Sequence, residues 1–118
     1  MPIVDGTLIG EAPDRPGLAA ELAQSIGQAL GATEGSVWLT LTRRPAADYA
    51  ENGPPPMPLP VFVRMLAGGD DLSTRAAQAR AIAGAVAATL SRPIERVHLI
   101  LEPDAAARVY FGGRPDRG

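Results

Sequence analysis

Pro60-Val61-Phe62-Val63-Arg64-Met65-Leu66 reads as a β-strand opened by a proline, and it is the second such stretch in the chain. The first is Pro2-Ile3-Val4-Asp5-Gly6-Thr7-Leu8. The segments after the two stretches are also alike. Leu18, Leu22, Ile26 and Leu30 recur every four residues after the first, and Ala79, Ile82, Val86 and Leu90 form a stripe after the second. Each stripe is the apolar face of an amphipathic helix. Val37, Leu39 and Leu41 then alternate with polar residues, as does Val97-His98-Leu99-Ile100-Leu101-Glu102, which is the signature of a strand. Leu22 and Ile82, Ile26 and Val86, Leu30 and Leu90, Val37 and Val97, and Leu41 and Leu101 all stand 60 positions apart. Five apolar positions in phase across a helix and a strand indicate an internal duplication. Strand, helix and strand with short links make a right-handed crossover with parallel strands. The expected fold class is therefore α/β, an α+β sandwich. Two tandem βαβ units form a four-stranded sheet with two helices on one face.

The punctuation agrees with this reading. Residues 10–15 form a turn, Asp14 is placed to cap the first helix, and Pro16 suits its first turn. Gly31 suits its C-terminal cap. Residues 46–53 are loop-like, with Tyr49 their one aromatic, and 54–60 form a stiff, polyproline-like connector. Asp70-Asp71 and Ser73 read as turn and cap residues before the second helix, Asp5 reads likewise as a turn or cap residue, and Pro93 ends the second helix. Arg108-Val109-Tyr110-Phe111-Gly112-Gly113-Arg114 reads as a short strand and a glycine turn, with 115–118 frayed. The chain is one domain, 1–118, comprising a first unit at 2–53, a linker at 54–59 and a second unit at 60–114. The sheet face without helices carries Trp38, Thr40, Thr42, His98 and Ile100. Such a mixed surface needs a cover, and self-association supplies the simplest one.

Composition narrows the function. The 118 residues are 46% hydrophobic but only 4% aromatic, a lean core that gains from burial in an oligomer. A net charge of −2 argues against a nucleic-acid partner. No apolar run approaches the ~20 residues of a membrane span, and the N-terminus lacks the pattern of a secretory signal. The absence of cysteine excludes disulfides and thiolate metal sites and fits a cytoplasmic protein. One histidine without cysteine builds none of the usual metal clusters, so no metal is expected. Gly112-Gly113 is a hairpin signal, and no glycine-rich nucleotide fingerprint occurs.

The best base in the chain lies at its start. There is no lysine, and His98 is the one ordinary side chain that titrates near neutrality. Removal of the initiator Met1 would turn the Pro2 ring nitrogen into a free secondary amine. A free α-amino group titrates near ~7.7–8.0, and partial burial pulls that value down by disfavouring the ammonium form. A base for work near neutrality needs such a value.

A prolyl N-terminus, two tandem βαβ units and a Gly-Gly hairpin near the end together resemble the tautomerase superfamily. That group includes 4-oxalocrotonate tautomerase, macrophage migration inhibitory factor, malonate semialdehyde decarboxylase and the 3-chloroacrylic acid dehalogenases. The resemblance covers residues 2–114, and the length is similar to that of the fused, two-unit members, which assemble as trimers. It implies a cofactor-independent keto–enol tautomerase or isomerase acting on a small 2-oxo or enol acid, with Pro2 as general base and acid. Hydrolytic dehalogenation, decarboxylation and a non-catalytic trimeric binding protein are the alternatives. Pro60 matches the same position in the second unit, but its nitrogen is locked in a peptide bond.

The positions where the family carries its carboxylate-binding arginines hold Gly10 or Glu11, Trp38, Asp70 and His98 here, and Gly68-Gly69-Asp70-Asp71 stands where the dehalogenases have an arginine pair. This departure argues against the family's usual dicarboxylate. All 11 basic residues are arginines, whose planar fork suits a carboxylate. Arg43 and Arg44 end a strand, and Arg75 falls in a helix first turn. Tyr49 and Tyr110 lie in the loops where the resemblance places an aromatic pocket residue. Trp38 and His98 share a face in the repeat, with Glu102 placed to activate a water. The expected partners are a small carboxylate substrate and two further copies of the chain, without nucleic acid or membrane.

Overall fold

A computed structural model describes residues 2–10, 16–67, 72–102 and 110–115. The first unit is β1 (Ile3–Ile9), α1 (Leu18–Leu30) and β2 (Trp38–Arg44). The second is β3 (Val61–Leu66), α2 (Leu72–Leu90) and β4 (Val97–Leu101). One sheet runs in the order β2-β1-β3-β4, and a separate ribbon pairs β5 (Tyr110–Phe111) with β6 (Arg114–Pro115). Within each unit the strands are parallel, as a helical crossover requires. The two units join through β1 and β3, which run antiparallel with Ile3 opposite Leu66 and Leu8 opposite Val61.

Strand alternation decides what is buried. Val4, Gly6 and Leu8 of β1 and Val61, Val63 and Met65 of β3 face inward. The apolar side chains among them meet Leu18, Leu22 and Ile26 of α1 and Ile82, Val86 and Leu90 of α2 in one cluster. Each such side chain contributes roughly 1.5–3 kcal/mol on burial. Thr89 Oγ1 donates to Ser25 Oγ at 3.0 Å, tying the helices together.

The duplication extends to the caps. Gly31 ends α1 in the left-handed region at φ 63°, and Ala32 N–H donates to Gly27 O at 2.9 Å. Sixty positions on, Ser91 takes φ 54°, and Arg92 N–H donates to Ala87 O at 3.1 Å. Both helices thus end on the same left-handed turn, although only one has glycine there to take it without strain.

Several expectations are corrected. Asp5 lies inside β1, where it accepts a hydrogen bond from Thr40 Oγ1 of β2, and is not a turn residue. Gly17, left-handed at φ 80°, precedes α1, so Pro16 lies outside the first turn. A short 3₁₀ turn at Ala46–Asp48 stands where the sequence reads as loop, and another at Ile94–Arg96 leads into β4. The connector is not a single straight rod, because the chain bends at residues 52–54 and again at 57–58. Asp14, Asp70-Asp71, Arg108 and Val109 lie outside the described residues, as does the Ser73 side chain.

A clamp fastens the connector. The Glu51 carboxylate accepts from Tyr49 Oη at 2.6 Å and from an Arg96 Nη at 2.7 Å. Arg96 also donates through Nε to Pro58 O at 2.7 Å. The hydrogen bond from Tyr49, then that from Arg96, holds the Glu51 carboxyl below its ordinary 4.5. The same bond to Glu51 raises the Tyr49 phenol above its ordinary 10.0.

This architecture has two measurable consequences. Ile82 is fully buried. Ile82→Ala should therefore cost about 2–5 kcal/mol, read as a lower urea midpoint with an unchanged slope at fixed protein concentration. Because the folded carboxyl of Glu51 titrates below the unfolded one, the clamp's support is complete above pH ~4.5 and fades as pH falls through the lowered folded value. Carboxyl NMR titration should place the Glu51 midpoint below 4.5, and Tyr49→Phe should move it back up. An ordinary midpoint in the parent protein would refute the clamp.

Candidate active site

Pro2 precedes the central strand β1 and is itself buried. It shares the inward parity of Val4 and Leu8, so its ring belongs to the side of the sheet that the helices cover. Its carbonyl accepts from Trp38 N–H at 3.0 Å, which fixes the start of β1 against the start of β2. The end of β3 arrives on the other side, with Ile3 opposite Leu66. The Pro2 end of the sheet is therefore made by the starts of β1 and β2 and the ends of β3 and β4.

Trp38 stands beside Pro2 on the uncovered face, 49% exposed. Its indole Nε1 donates to Gly35 O at 3.0 Å, and the Phe111 ring of the terminal ribbon meets it edge-on at 4.7 Å. The ribbon, including Tyr110, is thereby held at the Pro2 end. Gly112 and Gly113, both in the left-handed region, make its turn. Arg75 lies in the first turn of α2, which begins six residues after β3 has reached this end. Glu102 and Arg64 pair at 3.1 Å on the uncovered face near the same end. Glu102 is thus held by an arginine whose role has no signal in the sequence.

The remaining expected site residues lie elsewhere. Thr7 is opposite both Thr42 and Phe62, and Phe62 is opposite His98, which sets His98 toward the far end of β1. Tyr49 and His98 flank Phe62, with ring centroids at 5.8 and 5.4 Å. Arg43 and Arg44 are opposite Leu8 and Ile9. Six steps along β1 at ~3.3 Å each separate Ile3 from Ile9 by about 20 Å. The expected residues therefore divide between two ends of one chain. Trp38, Arg75 and Tyr110 accompany Pro2, whereas Arg43, Arg44, Tyr49 and His98 accompany Pro60. Trp38 and His98 share a face, as the repeat implies, but at opposite ends of it, because β1 and β3 run antiparallel.

Phe111, Arg64 and Arg92 support these two ends through contacts that sequence reasoning misses. The pairing of Phe111 with Trp38 depends on a ribbon whose docking has no local signal. Among the described residues no group of histidine and carboxylate side chains is arranged to hold a metal ion. No described helix is long and apolar enough to cross a membrane.

No protein-family model matches the chain, and no curated protein is similar to it in sequence. Solved structures are similar in fold. A native fused 4-OT has a TM-score of 0.77 and 20% identity, with 96% of this chain and 94% of that one covered. Malonate semialdehyde decarboxylase gives 0.69 and 12%, with 93% and 90% covered. Macrophage migration inhibitory factor of Toxoplasma gondii gives 0.66 and 18%, with 95% and 99% covered. Another fused 4-OT, a symmetric trimer, gives 0.68 and 23%, covering 85% of this chain and 83% of that one. These likenesses span both βαβ units, and the chain has the fold of the tautomerase superfamily in its fused, two-unit form.

Proposed function

We propose that the protein is a cofactor-independent tautomerase or isomerase of a small 2-oxo or enol acid, with the Pro2 amine, freed by removal of Met1, as the proton carrier. One observation carries the reading: the proline that would bear the amine is buried at the head of the central strand and held there by the Trp38 backbone. An amine in such a place is partly desolvated, which favours its neutral, basic form. It takes a proton from the carbon beside the substrate carbonyl, leaving an enolate and a prolyl ammonium. The ammonium then returns the proton to oxygen or to another carbon of the conjugated system, and the amine is regenerated.

Arg75 is the expected carboxylate-binding arginine on the Pro2 side, and we assign it that role. Trp38 and Phe111 pair on the uncovered face where the resemblance would put an arginine, and the loss of that arginine argues against a dicarboxylate. Water addition, the chemistry of the dehalogenases and decarboxylases, needs a free carboxylate base, and Glu102 is engaged by Arg64. A homotrimer accords with the exposed Trp38 and Ile100 on the helix-free face and with the trimeric fused 4-OT. Sedimentation should then report three times the 12.2 kDa chain.

Intact mass of the purified protein should lack Met1. Ketonisation of phenylpyruvate or 2-hydroxymuconate should slow by about 10²–10⁴-fold in kcat/KM for Pro2→Ala. The rate of the parent should fall on the acid side as the amine becomes protonated. Arg75→Ala should raise KM more than it lowers kcat. A retained methionine, or equal rates for the parent and Pro2→Ala, would remove Pro2 from the mechanism.

A further inference from the structure

The Pro60 end of the sheet holds a cleft of 790 Å³. That volume is in the range usual for small-molecule sites. The cleft lies between the ends of β1 and β2 and the connector that leads into β3. Gly10, Arg43, Arg44, Met57, Leu59 and Arg92 are among its lining residues, and among the described lining residues there is no carboxylate.

Each part of the cleft has a local cause. Gly10 is in the left-handed region, and a Cβ there would fall 2.4 Å from Leu59 Cδ1. That atom is the tip of a flexible side chain, so it is the left-handed backbone that favours glycine here. Gly10 N–H donates to Arg44 O at 2.8 Å and holds the end of β2 against it. Arg43 and Arg44 are consecutive strand residues that leave the backbone toward opposite faces, and both line the cleft. Arg92 is fixed from below. It donates through Nη1 to Leu59 O at 2.8 Å and to Pro60 O at 3.2 Å, and through Nη2 to Ile9 O at 2.9 Å. The cleft thus combines guanidinium groups, one of them immobilised, with thioether and leucine walls.

The repeat gives this cleft a meaning. Pro60 stands to β3 as Pro2 stands to β1, and the antiparallel pairing sends the two prolines to opposite ends. The Pro60 nitrogen is inside a peptide bond and has no proton to move. We propose that this second end is a binding site without amine chemistry, which takes an organic monocarboxylate: the head lies between Arg43 and Arg44, and the hydrocarbon body lies against Met57 and Leu59. Arginine forks match a carboxylate bidentately, and charge-assisted bonds of this kind are the strong ones. The site is separate from the Pro2 reading and stands without it.

The probe is 4-phenylbutyrate, followed by amide NMR shifts in the full-length protein. Shifts should saturate at Gly10, Arg43, Arg44 and Leu59. The doubly substituted Arg43→Ala/Arg44→Ala protein, checked for an unchanged thermal melt, should bind at least about tenfold more weakly. Single Arg44→Gln serves if the double variant melts early. Neutral 4-phenylbutanol and inorganic phosphate, lacking the head and the body respectively, should each bind at least about tenfold more weakly than the acid. Pro2→Ala should leave the binding unchanged, so failure of this site and failure of the proton-transfer reading are read separately. Shifts confined to the Pro2 end, equal binding by the double variant, or phosphate binding as tightly as the acid would overturn the proposal.

Discussion

The antiparallel pairing of β1 with β3 is the constraint on which the rest depends. Each βαβ unit alone is a two-stranded parallel sheet with one helix, too small to cover its own apolar face. Joining them through β1 and β3 places both proline-led strands at the centre, flanked by β2 and β4. The two helices then lie side by side over a single cluster that neither unit supplies alone. The same pairing points the strands in opposite directions, so whatever each proline does, it does at its own end.

That geometry explains how much is legible in the sequence. The strands and helices can be read because their apolar residues obey the periods of two and 3.6 that the backbone imposes. The duplication can be read because Ile82 and Val86 must fill the same role as Leu22 and Ile26. The side on which Trp38 and His98 lie comes from alternation. Their separation does not, because alternation says nothing about the direction of a neighbouring strand. For the same reason nothing local reveals that Arg43 and Arg44, which end β2, lie at the opposite end of the sheet from Pro2.

Other features are hidden for different reasons. Asp5 looks like a turn residue by composition, but its carboxylate finds Thr40 across the sheet, a contact 35 positions away in sequence. Arg92 has no local pattern to mark it, yet it gathers three carbonyls from the end of β1 and the two residues before β3. Glu51 lies in an undistinguished loop and becomes the acceptor on which Tyr49 and Arg96 converge. For Asp5, Arg92 and the Arg96 contact the partner comes from a distant segment, and local pattern carries no trace of it.

The peptide bond at Pro60 has a consequence for how such a molecule can change. Two separate copies of a single unit, written by one gene, would be forced to keep identical mouths, since every substitution would be felt at both. Once the copies share one chain, a substitution near the sealed proline leaves the other opening untouched. Within one chain the two ends of the sheet are therefore free to differ, and the end that carries Pro60 has Arg43, Arg44 and Arg92 around its opening.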